Sequence, residues 1–221
     1  MRENFAPNLD DWSNETYSAA MAKAHTNDSS DVRDNILAVG QRIMSGKGFS
    51  AVGLNEILTE AKVPKGSFYH YFASKDAFGE ALLSSYFDDY LAEIDAVMAQ
   101  PGLTMAQRLL QYFDMWRANQ SFLDCQGKCL AVKLAAEVAD LSEAMRAVLN
   151  QGTSAIIARL ATALEQGVDE GSLTIGDSPR QVAESLYQLW LGASVMVKIV
   201  RGTAPFDSAM AVTRQMLHLP H

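Results

Sequence analysis

GLNEILTEAKVPKGSFYHYFASKDAF, residues 53–78, fits two short helices and the start of a longer one into a single run. Leu54, Ile57, Leu58 and Ala61 recur at the spacing of one helical face, behind Gly53, a tolerable but weak cap. Pro64 then suits the first turn of a helix predicted to end near Phe72. Ser74, Lys75 and Asp76 supply an N-cap and a first-turn acid ahead of Phe78, Ala81, Leu82, Tyr86 and Tyr90, which predicts a long helix. Upstream, Val32, Ile36, Leu37, Val39, Ile43 and Met44 keep helical spacing from a Ser30/Asp31 capping pair to Gly46 and Gly48. A longer helix followed by two short ones around a tight turn has the form of a helix-turn-helix unit.

Within that run, residues 64–72 (PKGSFYHYF) divide into two sets. Phe68 and Phe72, at i and i+4, are expected to face a core. Lys65, Ser67, Tyr69, His70 and Tyr71 carry the donors, and Gly66 lets backbone approach backbone where free amides favour a phosphate. Lys65 and His70 can reach base edges; Tyr69, Tyr71 and Lys75 suit phosphates that fix register without reading sequence. The same period also fits an ordinary hairpin of helices with aromatics in its core, and spacing alone does not separate the two.

Beyond residue 78 the chain reads as helices over 109–122, 130–139, 142–167, 179–201 and 206–217, punctuated by Gly and Pro. No alternating strand pattern stands out. The expectation is an all-α protein of about nine helices: a polar tail over 1–30 with at most one short helix over 17–24, a three-helix unit over 31–76 and a larger helical bundle over 77–221. The 221 residues are 48% hydrophobic, with a formal net charge of −8. That average argues against phosphate binding until it is divided. The tail carries −3 and residues 77–221 carry −6, whereas residues 31–76 hold six basic and five acidic side chains, a net of +1. No run approaches the roughly 18 apolar residues of a membrane span, and the N-terminus lacks a signal-peptide core, so a cytoplasmic protein without membrane attachment is expected. Two cysteines, Cys125 and Cys129, are too few for a disulfide framework, and His25, His70, His218 and His221 are too scattered for a metal site. No cofactor motif is present.

Residues 53–78 resemble the DNA-binding signature of the TetR family of one-component transcriptional repressors, with its glycine-containing recognition helix, aromatic YxYF-like ending and following Lys. The resemblance implies an all-α homodimer that binds a palindromic double-stranded operator and releases it when a small effector enters the C-terminal domain. It carries Lys65, Gly66, Ser67, Tyr69, His70, Tyr71 and Lys75 as DNA-contacting candidates. Residues 129–149 and 186–199 further resemble the subgroup of the N-ethylmaleimide reductase and acrylate-utilisation repressors, whose regulators respond to reactive electrophiles, oxidants or small unsaturated acids. Cys129 is then the leading sensor: an adjoining helix N-terminus, Lys128 and Lys133 favour the thiolate that such reagents attack. A cysteine in an apolar helix also serves as a small buried hydrophobe.

Tyr112, Trp116, Tyr187 and Trp190 are candidates to line an effector pocket, or plain core. Lys198 could pair with a ligand carboxylate or an oxidised cysteine, or extend outwards. Dimerisation falls to the last two helices, with Leu186, Leu189, Trp190, Ala193 and Val197 as an apolar stripe, Gly192 allowing close approach, and Met210, Met216 and Leu217 as a second face; the same stripe also suits internal core. A different class, an enzyme using Cys129 as nucleophile, lacks a nearby base or orienting partner in the sequence.

Overall fold

The computed structural model describes residues 14–119 and 130–219, with side chains from residue 31 onward apart from that of Ala131. Among these residues nine helices follow one another: α1 Asn14–Lys47, α2 Leu54–Ala61, α3 Lys65–Tyr71, α4 Lys75–Met98, α5 Met105–Asn119, α6 Leu130–Leu141, α7 Glu143–Asp169, α8 Pro179–Val200 and α9 Ala204–Met216. No strand occurs among them. The expected all-α architecture is the one observed.

Helix α1 corrects the expected start of the ordered chain. Helical backbone reaches back to Asn14, through the stretch read as a tail with at most a short helix. No Gly or Pro interrupts residues 14–39, and Ala19, Ala20, Ala22 and Ala24 favour helix, so Ser30 and Asp31 fall inside the helix instead of capping it. Residues 1–13 lie outside the described residues. The other end behaves as expected: α1 passes Gly46 and stops at Gly48, whose φ of +94° is left-handed backbone suited to glycine.

The first three helices share a core of Ile36, Leu37, Met44, Ile57, Leu58 and Phe68. Complete burial of a side chain such as Phe68 contributes about 2–3 kcal/mol. The turn after α2 is closed by Lys62 in the left-handed region (φ 57°, ψ 38°), its amide directed at the carbonyls of Leu58 and Thr59. Asn35 Nδ2 donates to the Ala61 carbonyl at 3.0 Å, and the Arg42–Glu60 (2.8 Å) and Lys47–Glu56 (2.5 Å) ion pairs tie α2 to α1.

Helix α4 joins this unit to the rest by packing on α1, α5 and α7, while α7 also meets α6 and α8, and α8 meets α9. Three serines cap as their type predicts: Ser74, Ser142 and Ser178 accept the amides of Ala77, Met145 and Gln181. The α4–α7 crossing is close because Gly152 faces Phe87; a Cβ there would lie 2.3 Å from the Phe87 ring.

The expected dimer stripe on α8 needs correction. Leu186, Trp190, Ala193 and Val197 are buried within the protomer, Trp190 stacking on Phe113 of α5 and Phe206 of α9. On α9, Leu217 is buried as well, while Met210 and Met216 are half-buried against the core. Helix α8 is apolar around most of its circumference, so its other face stands bare: Gly192, Val195, Met196 and Ile199 are exposed, Ile199 to 66%.

Candidate nucleic-acid interface and effector region

Helix α3 separates its two sets of side chains as the sequence predicts. Phe68 and Phe72 are buried and meet Phe78 of α4 at ring-centroid distances of 5.5 and 5.1 Å, anchoring the helix from below. On the other side Lys65, Gly66, Tyr69 and His70 are exposed, Tyr69 to 53%. Ser67 and Tyr71 are half-buried, so they flank this surface and do not lead it. A Cβ on Gly66 would meet nothing within 4 Å, so the protein's own packing places no demand for glycine there.

The basic side chains of the unit are unequally engaged. Arg42 and Lys47 face Glu60 and Glu56, and Arg33 lies beside Asp34 and 5.6 Å over the Phe72 ring. Lys75, assigned to phosphates from the sequence, donates to the Phe49 carbonyl at 2.8 Å and sits 4.6 Å over the Phe49 ring. Among the described residues, Lys62 and Lys65 have no ion pair, and Lys65 lies 6.0 Å over the Tyr69 ring. Lys62, exposed in the turn leading into α3, adds a basic side chain that the sequence pattern does not single out.

In the C-terminal half, Cys125, Lys128 and Cys129 lie outside the described residues. Lys133 and Lys198 are exposed, so the expected inward projection of Lys198 is not observed. Near the end of α8 its position falls beside the buried row of Trp190 and Val197 and not on it. The four aromatics do come together. Trp116 meets Tyr112, Tyr187 and Trp190 at 6.0, 5.7 and 6.2 Å. Both indoles are satisfied: Trp116 Nε1 donates to Ser194 Oγ and Trp190 Nε1 to Thr213 Oγ1, each at 2.9 Å. These ring faces are used on one another, as in a packed core.

Tyr112 links that core to open space. Its hydroxyl lies 3.1 Å from that of Tyr90, and Tyr90 lines a cavity of about 210 Å³ with Gln41, Tyr86, Asp89, Glu93 and Asn119. Burial pushes the Tyr112 hydroxyl far above the usual phenol range, against the smaller downward pull of the Tyr90 hydrogen bond. Asp89 and Glu93 make the wall acidic, a feature not anticipated from sequence because α1, α4 and α5 must first pack together.

A three-helix reading unit presenting a donor-bearing recognition helix, joined to a helical bundle, defines a one-component DNA-binding regulator. Residues 36–82 match the family model described as bacterial regulatory proteins, tetR family, and residues 106–213 match the tetracyclin repressor-like C-terminal domain. The chain belongs to the TetR family; it is a transcriptional repressor, not an enzyme. It is similar to the HTH-type transcriptional repressor NemR of Escherichia coli (strain K12), with 40% identity over 86% of this chain and 96% of the relative. A crystal structure of E. coli NemR in the reduced form superposes with a TM-score of 0.81, covering 86% of this chain and 98% of that one. The repressor DhaR of Mycobacterium sp. (strain GP1) shares 30% identity over 84% of this chain and 92% of its own length. The regulator AcuR of Cereibacter sphaeroides shares 31%, over 82% and 83%. No helix among the described residues is long and apolar enough to cross a membrane.

Proposed function

We propose that two copies of the chain bind a palindromic operator, one α3 per half-site, and release it when a reactive electrophile, an oxidant or a small unsaturated acid is sensed near Cys129. The observation that carries the DNA-binding part is the division of α3, with Phe68 and Phe72 locked inward and Lys65, Gly66, Tyr69 and His70 presented outward. Lys65 and His70 reach for base edges, Tyr69 for a phosphate, and the bare Gly66 accommodates the approaching backbone. Ser67 and Tyr71 flank them. Lys75 acts indirectly, by holding the loop before α2.

For the effector, the support is likeness to NemR, whose solved form is named by its redox state, together with the thiol chemistry of Cys129. In this reading Tyr112, Trp116, Tyr187 and Trp190 act as the packed core behind the sensing region, and the exposed Lys133 and Lys198 supply surface charge. The two copies join through the bare face of α8, with α9 beside it. The acidic wall of the Tyr90 cavity disfavours that cavity as the site for a carboxylate effector.

Titration of the chain against DNA from its own upstream region tests the first half. Binding is expected to be salt-sensitive and to weaken by about tenfold or more in Lys65→Ala or Tyr69→Ala; binding all sequences equally would exclude a specific repressor. Cys129→Ser tests the second: release of the operator by p-benzoquinone or hypochlorite should disappear. Normal release by that variant would transfer sensing away from the thiol.

A further inference from the structure

We propose that Glu137 is the positioning residue through which the C-terminal domain fixes the placement of the reading head. The inference rests on the operator-binding reading above and adds a role for a residue it does not use. Helices α2 and α3 form a hairpin whose two chain ends meet at one point. The entering end is the loop after Gly48; the leaving end is the start of α4. Lys75 joins them, donating from α4 to the Phe49 carbonyl at 2.8 Å. Glu137, on α6, grips the same loop from the other side: its carboxylate accepts the Phe49 amide at 3.0 Å and the Ser50 amide at 2.7 Å.

The loop is shaped for this grip. A Cβ on Gly48 would lie 2.9 Å from Glu137 Oε2, and the residue's φ of +94° independently favours glycine. The Phe49 ring is buried. The Ser50 hydroxyl, against a smaller upward push from burial, and then the two amides and Lys133 hold the Glu137 carboxyl below the usual carboxylate range. Helix α6 itself packs on α1, α7 and α8. Any displacement of α6 along or about its axis therefore pulls a charged acceptor away from two amides at the base of the reading hairpin. Two heads on one operator must keep a fixed separation, and that separation is what the grip defines.

The experiment compares the full chain with Glu137→Gln, which keeps the volume and one acceptor but points donors at the second amide, and with Glu137→Asp, which keeps the charge but reaches only one amide. Affinity is measured by fluorescence anisotropy for the operator, for the operator lengthened by two base pairs between half-sites, and for a single half-site. Glu137→Gln should lose about fivefold or more of the preference for native spacing while half-site affinity stays within about twofold; Glu137→Asp should fall between. A purely structural role would lower the melting temperature, or both operator affinities together, and leave the preference intact; that result overturns the proposal. If the wild-type chain is itself indifferent to spacing, the dimeric operator reading fails, and Glu137 has no placement to set.

Discussion

Lys62 occupies left-handed backbone that costs a side-chain-bearing residue about 1–2 kcal/mol, yet it closes the turn between α2 and α3. Lys62→Gly should therefore raise stability by up to about 1 kcal/mol after the extra entropy of glycine in the unfolded chain is counted. A urea midpoint that stays put or falls would contradict this. The same variant removes one of the two exposed head lysines without an ion pair among the described residues, Lys62 and Lys65, so operator binding should lose salt sensitivity by about one phosphate contact. Single residues were legible from sequence where their role depends on near neighbours. Phe68 and Phe72 could be assigned to the core because i and i+4 share a helical face. The bond of Lys75 to the Phe49 carbonyl could not be read from sequence, since that acceptor lies 26 residues away and meets it only after folding.

At the scale of elements, glycine in α3 separates stability from function. Gly66 sits in a helix with open space where its Cβ would go, so Gly66→Ala should stabilise the chain by about 0.5–1 kcal/mol through helix propensity alone. If that space belongs to DNA, the same methyl group should weaken operator binding about tenfold or more. Stability by thermal melting and affinity by gel shift should thus move in opposite directions; equal or improved affinity would remove α3's N-terminal turn from the interface. Helix positions were readable because caps and breakers are local, as Ser74, Ser142 and Ser178 show. Helix faces were harder. In α8 both the Leu186–Trp190–Val197 row and the Val195–Met196–Ile199 row are apolar, and only the packing of α5, α7 and α9 decides which is interior. The extended α1 was missed for a related reason: a Ser-Asp pair is a cap only when the preceding residues leave the helix.

At the scale of the whole molecule, the charge distribution leaves binding dependent on geometry. A reading head of net +1 attached to an acidic remainder has little long-range attraction for DNA, so in the proposed reading affinity is expected to depend on two heads engaging at once. That makes the bare face of α8 decisive, because monomeric proteins rarely leave a contiguous apolar row such as Val195, Met196 and Ile199 in water. In a two-fold dimer each of these side chains meets the same surface of its copy, and Gly192, with nothing within 4 Å of its Cβ position, lets the two helices approach. Ile199→Glu would place two carboxylates into one symmetric interface, at a cost that should raise the dissociation constant of the dimer by about a hundredfold or more. Analytical ultracentrifugation should find twice the chain mass for the wild type and a single chain for the variant at micromolar concentration. Half-site binding should survive, because the α3 surface is untouched, while affinity for the full operator should drop towards that of one head. A variant that remains dimeric with normal operator affinity would move the interface away from this face of α8.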